Sequence, residues 1–167
     1  VSDLNDDHPV KQYVIKRMIP EKYYSKLFLC NKFMAFVNKV KPNTFGHTKG
    51  EHPRLIIPFY DNQNKVFAFQ GRAFGKEQPK YLTVKLDENK QKVYGLESVN
   101  LQEPLHIVEG PIDSMFLKNC LAAAGADLTL KVEPSSVTYI FDNEPRNKEI
   151  IKRMYDVVEK DYNLVVW

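Results

Sequence analysis

The sequence predicts an α/β protein in which an N-terminal α+β part with antiparallel strands is followed by βαβ units on a parallel sheet. Two patterns lead to this prediction. Before residue 100, β-like runs follow one another with polar turns between them. After residue 104, apolar strands alternate with helical segments, which is typical of right-handed βαβ units. We therefore expect a basic accessory part at residues 1–100 and a parallel-sheet part at residues 101–167.

The N-terminal part is predicted to begin with helices and to continue as an antiparallel sheet. Residues 8–18 carry apolar side chains at helical spacing, and Pro20 begins a second short helix. Residues 30–40 fit a helix or a strand, because short apolar runs are ambiguous. Polar residues 61–64 favour a hairpin turn between two strands. The β-like runs are residues 54–60, 65–74 and 80–86.

The C-terminal part is predicted to alternate strands and helices. Pro111 and Pro145 each favour the first turn of a helix. The predicted strands are residues 105–110, 136–144 and 162–166, with a short strand and turn at 120–126. The predicted helices are residues 111–119 and 145–161, with a further helical turn at 127–132.

The composition is that of an ordinary globular protein. Of 167 residues, 43% are hydrophobic and 27% are charged, which argues against disordered and collagen-like classes. The longest apolar runs are far shorter than the ~20 residues of a membrane span, and no secretory signal pattern is present. Cys30 and Cys120 are too few for a cysteine-rich zinc site. We therefore expect a cytoplasmic protein with no membrane partner.

Charge is distributed unevenly along the chain. Residues 1–100 carry 17 Lys and Arg against 10 Asp and Glu, whereas residues 101–167 carry 7 against 11. A basic part joined to an acidic part suggests one surface for polyanions and another for cations. An uneven but simply solvated surface explains the same counts, so charge alone leaves both interpretations open.

Acidic residues follow two of the predicted parallel strands. Glu109 ends one strand, and Asp142 with Glu144 ends another, while Asp113 lies one helical turn beyond Glu109. Ligands of open α/β sheets bind outside the carboxyl ends of the strands, and clustered carboxylates suit Mg²⁺ or Mn²⁺. Acids also cap helix N-termini, and both predicted helices begin directly after these residues. Spacing alone leaves metal binding and capping as alternatives.

These segments resemble a known family. VEGPIDSMFL (108–117) and IFDNEPR (140–146) resemble the Glu motif and the Asp-x-Asp motif of the TOPRIM domain. RLIIPFYDNQNKVFAFQGRAF with PKYLTV resembles the segment that precedes the TOPRIM sheet in DnaG-type primase catalytic cores. Together with DHPVKQYVIKRMIP and KVYGLESV, the likeness to primases of T-even-type bacteriophages extends from Asp7 to Trp167.

The resemblance implies roles for the four acids. Glu109 would be a metal ligand or a proton-transfer group, and Asp142 a direct metal ligand. Glu144 stands where many relatives have Asp, and its carboxylate would still bind a metal and share in catalysis. Asp113 would act directly or from the outer shell. The implied cofactor is Mg²⁺ or Mn²⁺.

The resemblance also implies contacts for four basic residues. Arg54, Arg72 and Lys80 match positions that line the template and nucleotide groove of DnaG-type primases. Arg146 would contact a triphosphate or pair with Glu144, and these two possibilities stay open. Arginine can hold phosphate in a bidentate manner, whereas lysine acts as a compact charge.

The implied activity is that of a DNA primase, a DNA-directed RNA polymerase that makes RNA primers by metal-dependent ribonucleotidyl transfer. The implied partners are a single-stranded DNA template, ribonucleoside triphosphates and a hexameric replicative helicase, in the cytoplasm of a bacterial host. Full-length relatives carry an N-terminal zinc ribbon, and this sequence has no CxxC pair for one, so the ribbon is lacking or lies upstream. The relatives also carry further acids after the strand that corresponds to residues 162–166, so we expect a truncated TOPRIM domain. The alternatives are a TOPRIM nuclease and a non-catalytic module that binds DNA or stimulates a helicase.

Overall fold

The computed structural model describes residues 1–123 and 132–167. The chain divides into two compact units, Val1–Lys90 and Gln91–Trp167, which we describe separately. Within the described residues, none of the helices has the length and apolar character that crossing a membrane requires.

The first unit combines helices with an antiparallel sheet. Its four strands have the order β1-β2-β3-β4, and every neighbouring pair is antiparallel, as the sequence predicts. Phe33, Val37, Ile56, Phe69 and Val84 form a core between the second helix and this sheet. The elements are α1 (Pro9–Lys16), a 3₁₀ helix (Glu21–Lys26), β1 (Phe28–Cys30), α2 (Phe33–Val40), β2 (Arg54–Tyr60), β3 (Val66–Ala73) and β4 (Tyr81–Lys85).

Local sequence explains where these elements begin and turn. His8 caps α1, because its Nδ1 accepts a hydrogen bond from the amide of Val10 at 3.1 Å. The hairpin between β2 and β3 is closed by Asp61, whose Oδ1 accepts from the amides of Gln63 and Lys65 at 2.9 Å. Asn64 takes the left-handed conformation that this turn requires, with φ of 59°. The predicted hairpin is therefore confirmed.

The ambiguous segment at residues 30–40 contains both kinds of structure. Its first residue ends strand β1, and most of the remainder forms helix α2. Phe33 and Val37 are both buried one helical turn apart, which gives α2 its apolar face.

The second unit contains a parallel sheet with the strand order β6-β5-β7-β8. Its core consists of Val93, Leu105, Ile107, Leu121 and Val137. The parallel βαβ arrangement predicted from the sequence is confirmed. The elements are β5 (Leu105–Val108), α3 (Pro111–Ser114), β6 (Cys120–Ala122), a 3₁₀ helix (Pro134–Ser136), β7 (Val137–Ile140), α4 (Lys148–Glu159) and β8 (Asn163–Val165).

Several elements of this unit are shorter than predicted. Strand β5 ends at Val108 and β7 at Ile140, so the acidic residues lie beyond the strands. Helix α3 has only 4 residues. Helix α4 begins at Lys148, not in the turn at Pro145, because the Oδ1 of Asn147 accepts from the amide of Glu149 at 3.1 Å and caps the helix there. Residues 124–126 of the predicted turn, and 127–131 of the predicted helical turn, lie outside the described residues.

Residues 91–100 lie with the second unit, although the sequence suggests a boundary near residue 100. Tyr94 forms an antiparallel bridge with Ala122, and the two backbone hydrogen bonds measure 2.9 and 3.1 Å. Val93 is buried in the same core as Leu105. These contacts are the physical reason why the division falls earlier in the chain.

Candidate active site

The topology of the parallel sheet brings two acidic segments to one edge. After β5 the chain continues through α3 into β6, which pairs with one side of β5. The later strand β7 pairs with the other side of β5. This reversal of strand order is the position at which open α/β sheets form a ligand crevice. Val108 of β5 lies beside Ile140 of β7, so the residues that follow both strands leave the sheet at the same edge.

Glu109 and Asp142 are in direct contact at this edge. The backbone amide of Asp142 donates a hydrogen bond to Oε2 of Glu109 at 3.2 Å. The other oxygen, Oε1, lies 3.3 Å from Nη1 of Arg153 on α4. The Glu109 side chain is 23% exposed, so its carboxylate is held mainly by protein groups yet remains accessible.

The electrostatics of Glu109 reflect this position. Partial burial raises the pKa of Glu109 above its ordinary value, and the charges of Asp142 and Glu144 act in the same direction. The hydrogen bond from the Asp142 amide and the charge of Arg153 oppose the rise without cancelling it. Burial of the carboxylate is therefore the main reason why Glu109 holds a proton more readily than an exposed glutamate does.

Asp113 folds back over Gly110. A Cβ atom at position 110 would lie 2.3 Å from Oδ2 of Asp113, closer than any real contact. Gly110 has an ordinary φ of −106°, so the absence of a side chain matters here for space and not for backbone conformation. The glycine after Glu109 thus makes room for the carboxylate of the next acid.

Glu144 is held in the turn between β7 and α4. Its amide donates to the carbonyl of Asp142 at 2.8 Å, which folds the chain tightly after β7. Its Oε2 accepts a hydrogen bond from Nδ2 of Asn147 at 2.7 Å. The side chain that caps α4 therefore also orients one of the predicted metal ligands.

The donor chemistry at this edge fits a hard divalent cation. Glu109, Asp113, Asp142 and Glu144 offer carboxylate oxygens, the donors that Mg²⁺ and Mn²⁺ prefer. Burial is the main cause of the raised pKa of Glu109, and the charges of Asp142 and Glu144 add to it, so a bound cation would offset those neighbouring charges. In the described part of the chain, no three His, Cys, Asp or Glu side chains already lie together as a metal-binding group. The acids therefore surround the edge without forming a closed ligand set, and their role as ligands stays a prediction.

Two of the four predicted phosphate contacts are buried. Arg54 is 2% exposed, and its Nη1 donates to the carbonyl of Gly71 at 2.8 Å. Its guanidinium lies 5.1 Å from the ring centre of Phe33, and burial lowers the pKa of this side chain. Arg72 is 5% exposed and lies 4.5 Å from the ring centre of Tyr13. Protein groups surround both guanidinium groups, which leaves them little access to a phosphate.

The other two predicted contacts are accessible. Lys80 is exposed directly before β4, with its Nζ 5.8 Å from the ring centre of Tyr81. Arg146 is exposed in the turn before α4, and among the described residues it forms no ion pair with Glu144. The nucleic-acid and nucleotide roles of all four residues stay predictions.

Sequence reasoning missed Arg153 and Asn147. Asn147 carried a recognisable signal, because Asn is a preferred N-cap and stands directly before the amphipathic segment. Arg153 carried a weaker one. It pairs with Glu149 at i,i+4 spacing at 2.8 Å, but its contact with Glu109 depends on tertiary structure.

Comparison with known proteins identifies the likeness. The chain is 37% identical to the DNA primase of Enterobacteria phage T4, over an alignment of 167 positions that covers 98% of this chain. This chain is similar to DNA primases. The likeness predicted from the sequence is thereby confirmed, although no family model matches the chain. The primase-like chain spans 48% of the phage protein, about half the length of that relative.

Solved structures agree on the fold. The Aquifex aeolicus primase, with its zinc-binding and RNA polymerase domains, matches with a TM-score of 0.67 at 21% identity, over 95% of this chain and 49% of that one. A DnaG primase catalytic domain bound to single-stranded DNA matches with a TM-score of 0.57 at 17% identity, over 92% and 63%. The primase-like chain therefore has the fold of DnaG-type catalytic cores, including the TOPRIM-like parallel sheet.

Proposed function

We propose that this chain is part of the catalytic core of a DNA primase, which makes RNA primers on single-stranded DNA by metal-dependent ribonucleotidyl transfer. The observation that carries the proposal is the contact between Glu109 and Asp142 at the strand-order reversal of the parallel sheet. It occurs in a chain similar to a phage primase over nearly its whole length. A related catalytic domain has been solved with single-stranded DNA, which supports a DNA template as partner.

In this proposal the acids hold Mg²⁺ or Mn²⁺ beside the reacting groups. Bound divalent cations would activate the attacking 3′-hydroxyl and neutralise the leaving pyrophosphate. Asp142 and Glu109 would be direct ligands, fixed relative to each other by the Asp142 amide. Asp113 would add a carboxylate from the first turn of α3, and Glu144, oriented by Asn147, would complete the set from the turn after β7.

Basic residues would hold the polyanions in the same scheme. Lys80 is exposed and would act as a point charge on the template phosphates, and exposed Arg146 would contact the nucleotide triphosphate. Arg54 and Arg72 would instead support the strands from which such contacts are made. Ribonucleoside triphosphates as substrates, a hexameric replicative helicase as partner and the bacterial host cytoplasm as location belong to this proposal.

The proposal is tested by primer synthesis with this chain. A single-stranded DNA template, ribonucleoside triphosphates and Mg²⁺ or Mn²⁺ are supplied, and labelled RNA is measured. The Asp142→Asn variant keeps the size of the side chain but removes its charge, and we expect synthesis to fall roughly 100-fold or more. Asp156→Asn, which removes the same charge from an exposed position of α4, is the matched control and should leave synthesis unchanged.

Other outcomes would favour the two alternative functions. Shortened DNA in the presence of metal alone, with no nucleotide required, would identify a nuclease that uses the same acids. Absence of synthesis, with template binding that depends steeply on salt and is unaffected by Asp142→Asn, would identify a DNA-binding module. Binding is measured by fluorescence anisotropy on the same samples.

A further inference from the structure

Arg153 lies on the side of α4 that faces the parallel sheet. It is three residues after Ile150 and four before Val157, both of which are buried, so helical spacing places the three on one face. The Arg153 side chain is 36% exposed, so it lies at the margin of this face. Arg153 is paired twice: Nη2 lies 2.8 Å from Oε1 of Glu149, and Nη1 lies 3.3 Å from Oε1 of Glu109.

Glu109 is consequently fixed at both carboxylate oxygens. Arg153 contacts Oε1 from the helix, and the amide of Asp142 donates to Oε2 from the end of β7. A carboxylate held on two sides has little freedom to turn, so its position relative to Asp142 is set before any ligand arrives. Glu149 in turn fixes the guanidinium through its i,i+4 contact.

The charge of Arg153 has a second consequence. The negative charges of Asp142 and Glu144 act against an ionised Glu109, and Arg153 acts in its favour. A divalent cation at Glu109 would supply the same compensation with twice the charge. The guanidinium and the cation would then both be near one carboxylate and would repel each other.

We propose that Arg153 is a positioning residue that neutralises Glu109 in the metal-free protein and thereby weakens the binding of the catalytic cation. The inference rests on the proposed function, because it takes Glu109 as a metal ligand. Arg153 thus holds the carboxylate ready for the cation at the expense of metal affinity. Removing its charge would tighten metal binding, whereas damage to the site would loosen it.

The test is a Mn²⁺ titration followed by electron paramagnetic resonance, with the whole chain at low ionic strength. We expect Arg153→Met to bind Mn²⁺ roughly 10-fold more tightly than the unmodified chain, because one like charge near the cation is lost. Without metal the same variant should melt at a lower temperature, since Glu109 loses a counter-charge. Saturating Mn²⁺ should then raise its melting temperature by more than that of the unmodified chain.

Two control variants isolate the role of the charge at this position. Arg153→Lys keeps a positive charge, so its Mn²⁺ affinity should stay close to that of the unmodified chain. Lys152→Met removes the same charge from the adjacent, exposed position of α4 and should also leave the affinity unchanged. Met and Lys are both good helix formers, so none of these changes should disturb α4 through helix propensity.

The results that overturn the inference are separate from those that overturn the proposed function. Arg153→Met binding Mn²⁺ no more tightly than the unmodified chain refutes the inference, and so does equal tightening in Lys152→Met, which would indicate only net charge. Absence of Mn²⁺ binding in every variant refutes it too. The proposed function is judged independently by primer synthesis and its loss in Asp142→Asn.

Discussion

The two sheets of this protein differ in where their charged side chains lie and in how far these are buried. In the antiparallel sheet, Arg54 and Arg72 lie within strands, and they are only 2% and 5% exposed. In the parallel sheet, Glu109 and Asp142 lie just beyond the strand ends, where the chain turns and the side chains stay accessible. The buried guanidinium groups contact backbone carbonyls and aromatic rings, whereas the acids keep access to solvent and Glu109 is paired with Arg153.

The position of a charged residue along a strand therefore indicates whether protein groups or a ligand can contact its side chain. A residue inside a strand directs its side chain to one face, and where that face is covered the protein itself must satisfy the charge. A residue beyond the strand end lies at the edge where parallel sheets bind ligands. The resemblance implies a function for both Arg54 and Asp142, but Arg54 is buried whereas Asp142 is exposed, so a ligand has readier access to Asp142.

The largest expected effect concerns the buried arginine. Arg54→Met keeps the length of the side chain and its packing against Phe33 but removes the donor to the carbonyl of Gly71. Loss of this charge-assisted hydrogen bond, and of the one from Nε of Arg54 to Nε2 of His52 at 3.0 Å, should lower the free energy of unfolding by about 2 kcal/mol, measured by urea denaturation. Lys65→Met, which removes a charge from the exposed hairpin turn, should change it by less than about 0.5 kcal/mol.

A loss of DNA binding without a loss of stability would contradict this comparison of the two sheets. If Arg54→Met is as stable as the unmodified chain but binds single-stranded DNA more weakly, with a smaller dependence on salt, then Arg54 is a phosphate contact. The two sheets would then both present charge to ligands.

Much of the fold could be predicted because local signals and tertiary structure agree. Strands β2 and β3 match their predicted runs closely, since the polar turn at residues 61–64 sets their register through Asp61. The ends of elements were predicted less well. Pro145 suggested a helix start, but Asn147 provides the stronger cap and moves the start of α4.

Part of the candidate site could be predicted because local sequence patterns locate the ends of the parallel strands. Glu109 and Asp142 follow apolar strands, and the topology of a parallel sheet is enough to bring such residues together. The pairing of Glu109 with Arg153 joins residues 44 positions apart and depends on how α4 packs, which no local pattern encodes. The burial of Arg54 was missed because an arginine that begins a β run looks like an exposed strand end.

A smaller effect is expected from filling the space over Gly110. Gly110→Ala places a methyl group where Oδ2 of Asp113 lies, so that flexible carboxylate must move away. If Asp113 is a metal ligand or supports one, Mn²⁺ affinity should fall roughly 10-fold, as for other changes beside metal ligands. The melting temperature should change little, because φ of −106° suits alanine.

A comparison with Asp113→Asn sharpens this test. The two variants should weaken Mn²⁺ binding similarly if Gly110 acts only through the Asp113 carboxylate. Unchanged affinity in both would remove Asp113 from the ligand set and would leave Gly110 as an ordinary tight turn.

The smallest expected effect is a gain in stability when Glu109 loses its charge, opposite in sign to the loss expected for Arg54→Met. Burial raises the pKa of Glu109, so the folded protein holds this proton more tightly than the unfolded chain does. The stability that follows from the raised pKa is fully present below the unfolded value of about 4.3 and is lost as pH rises through the folded pKa.

In EDTA at pH 7, Glu109→Gln should therefore be slightly more stable to urea than the unmodified chain, and this advantage should disappear near pH 4. Glu103→Gln, which removes the same charge from an exposed position, is the matched control. A loss of stability in Glu109→Gln at pH 7 would mean that the contact with Arg153 outweighs burial, and the acidic edge would then be as well compensated as the buried arginines of the antiparallel sheet.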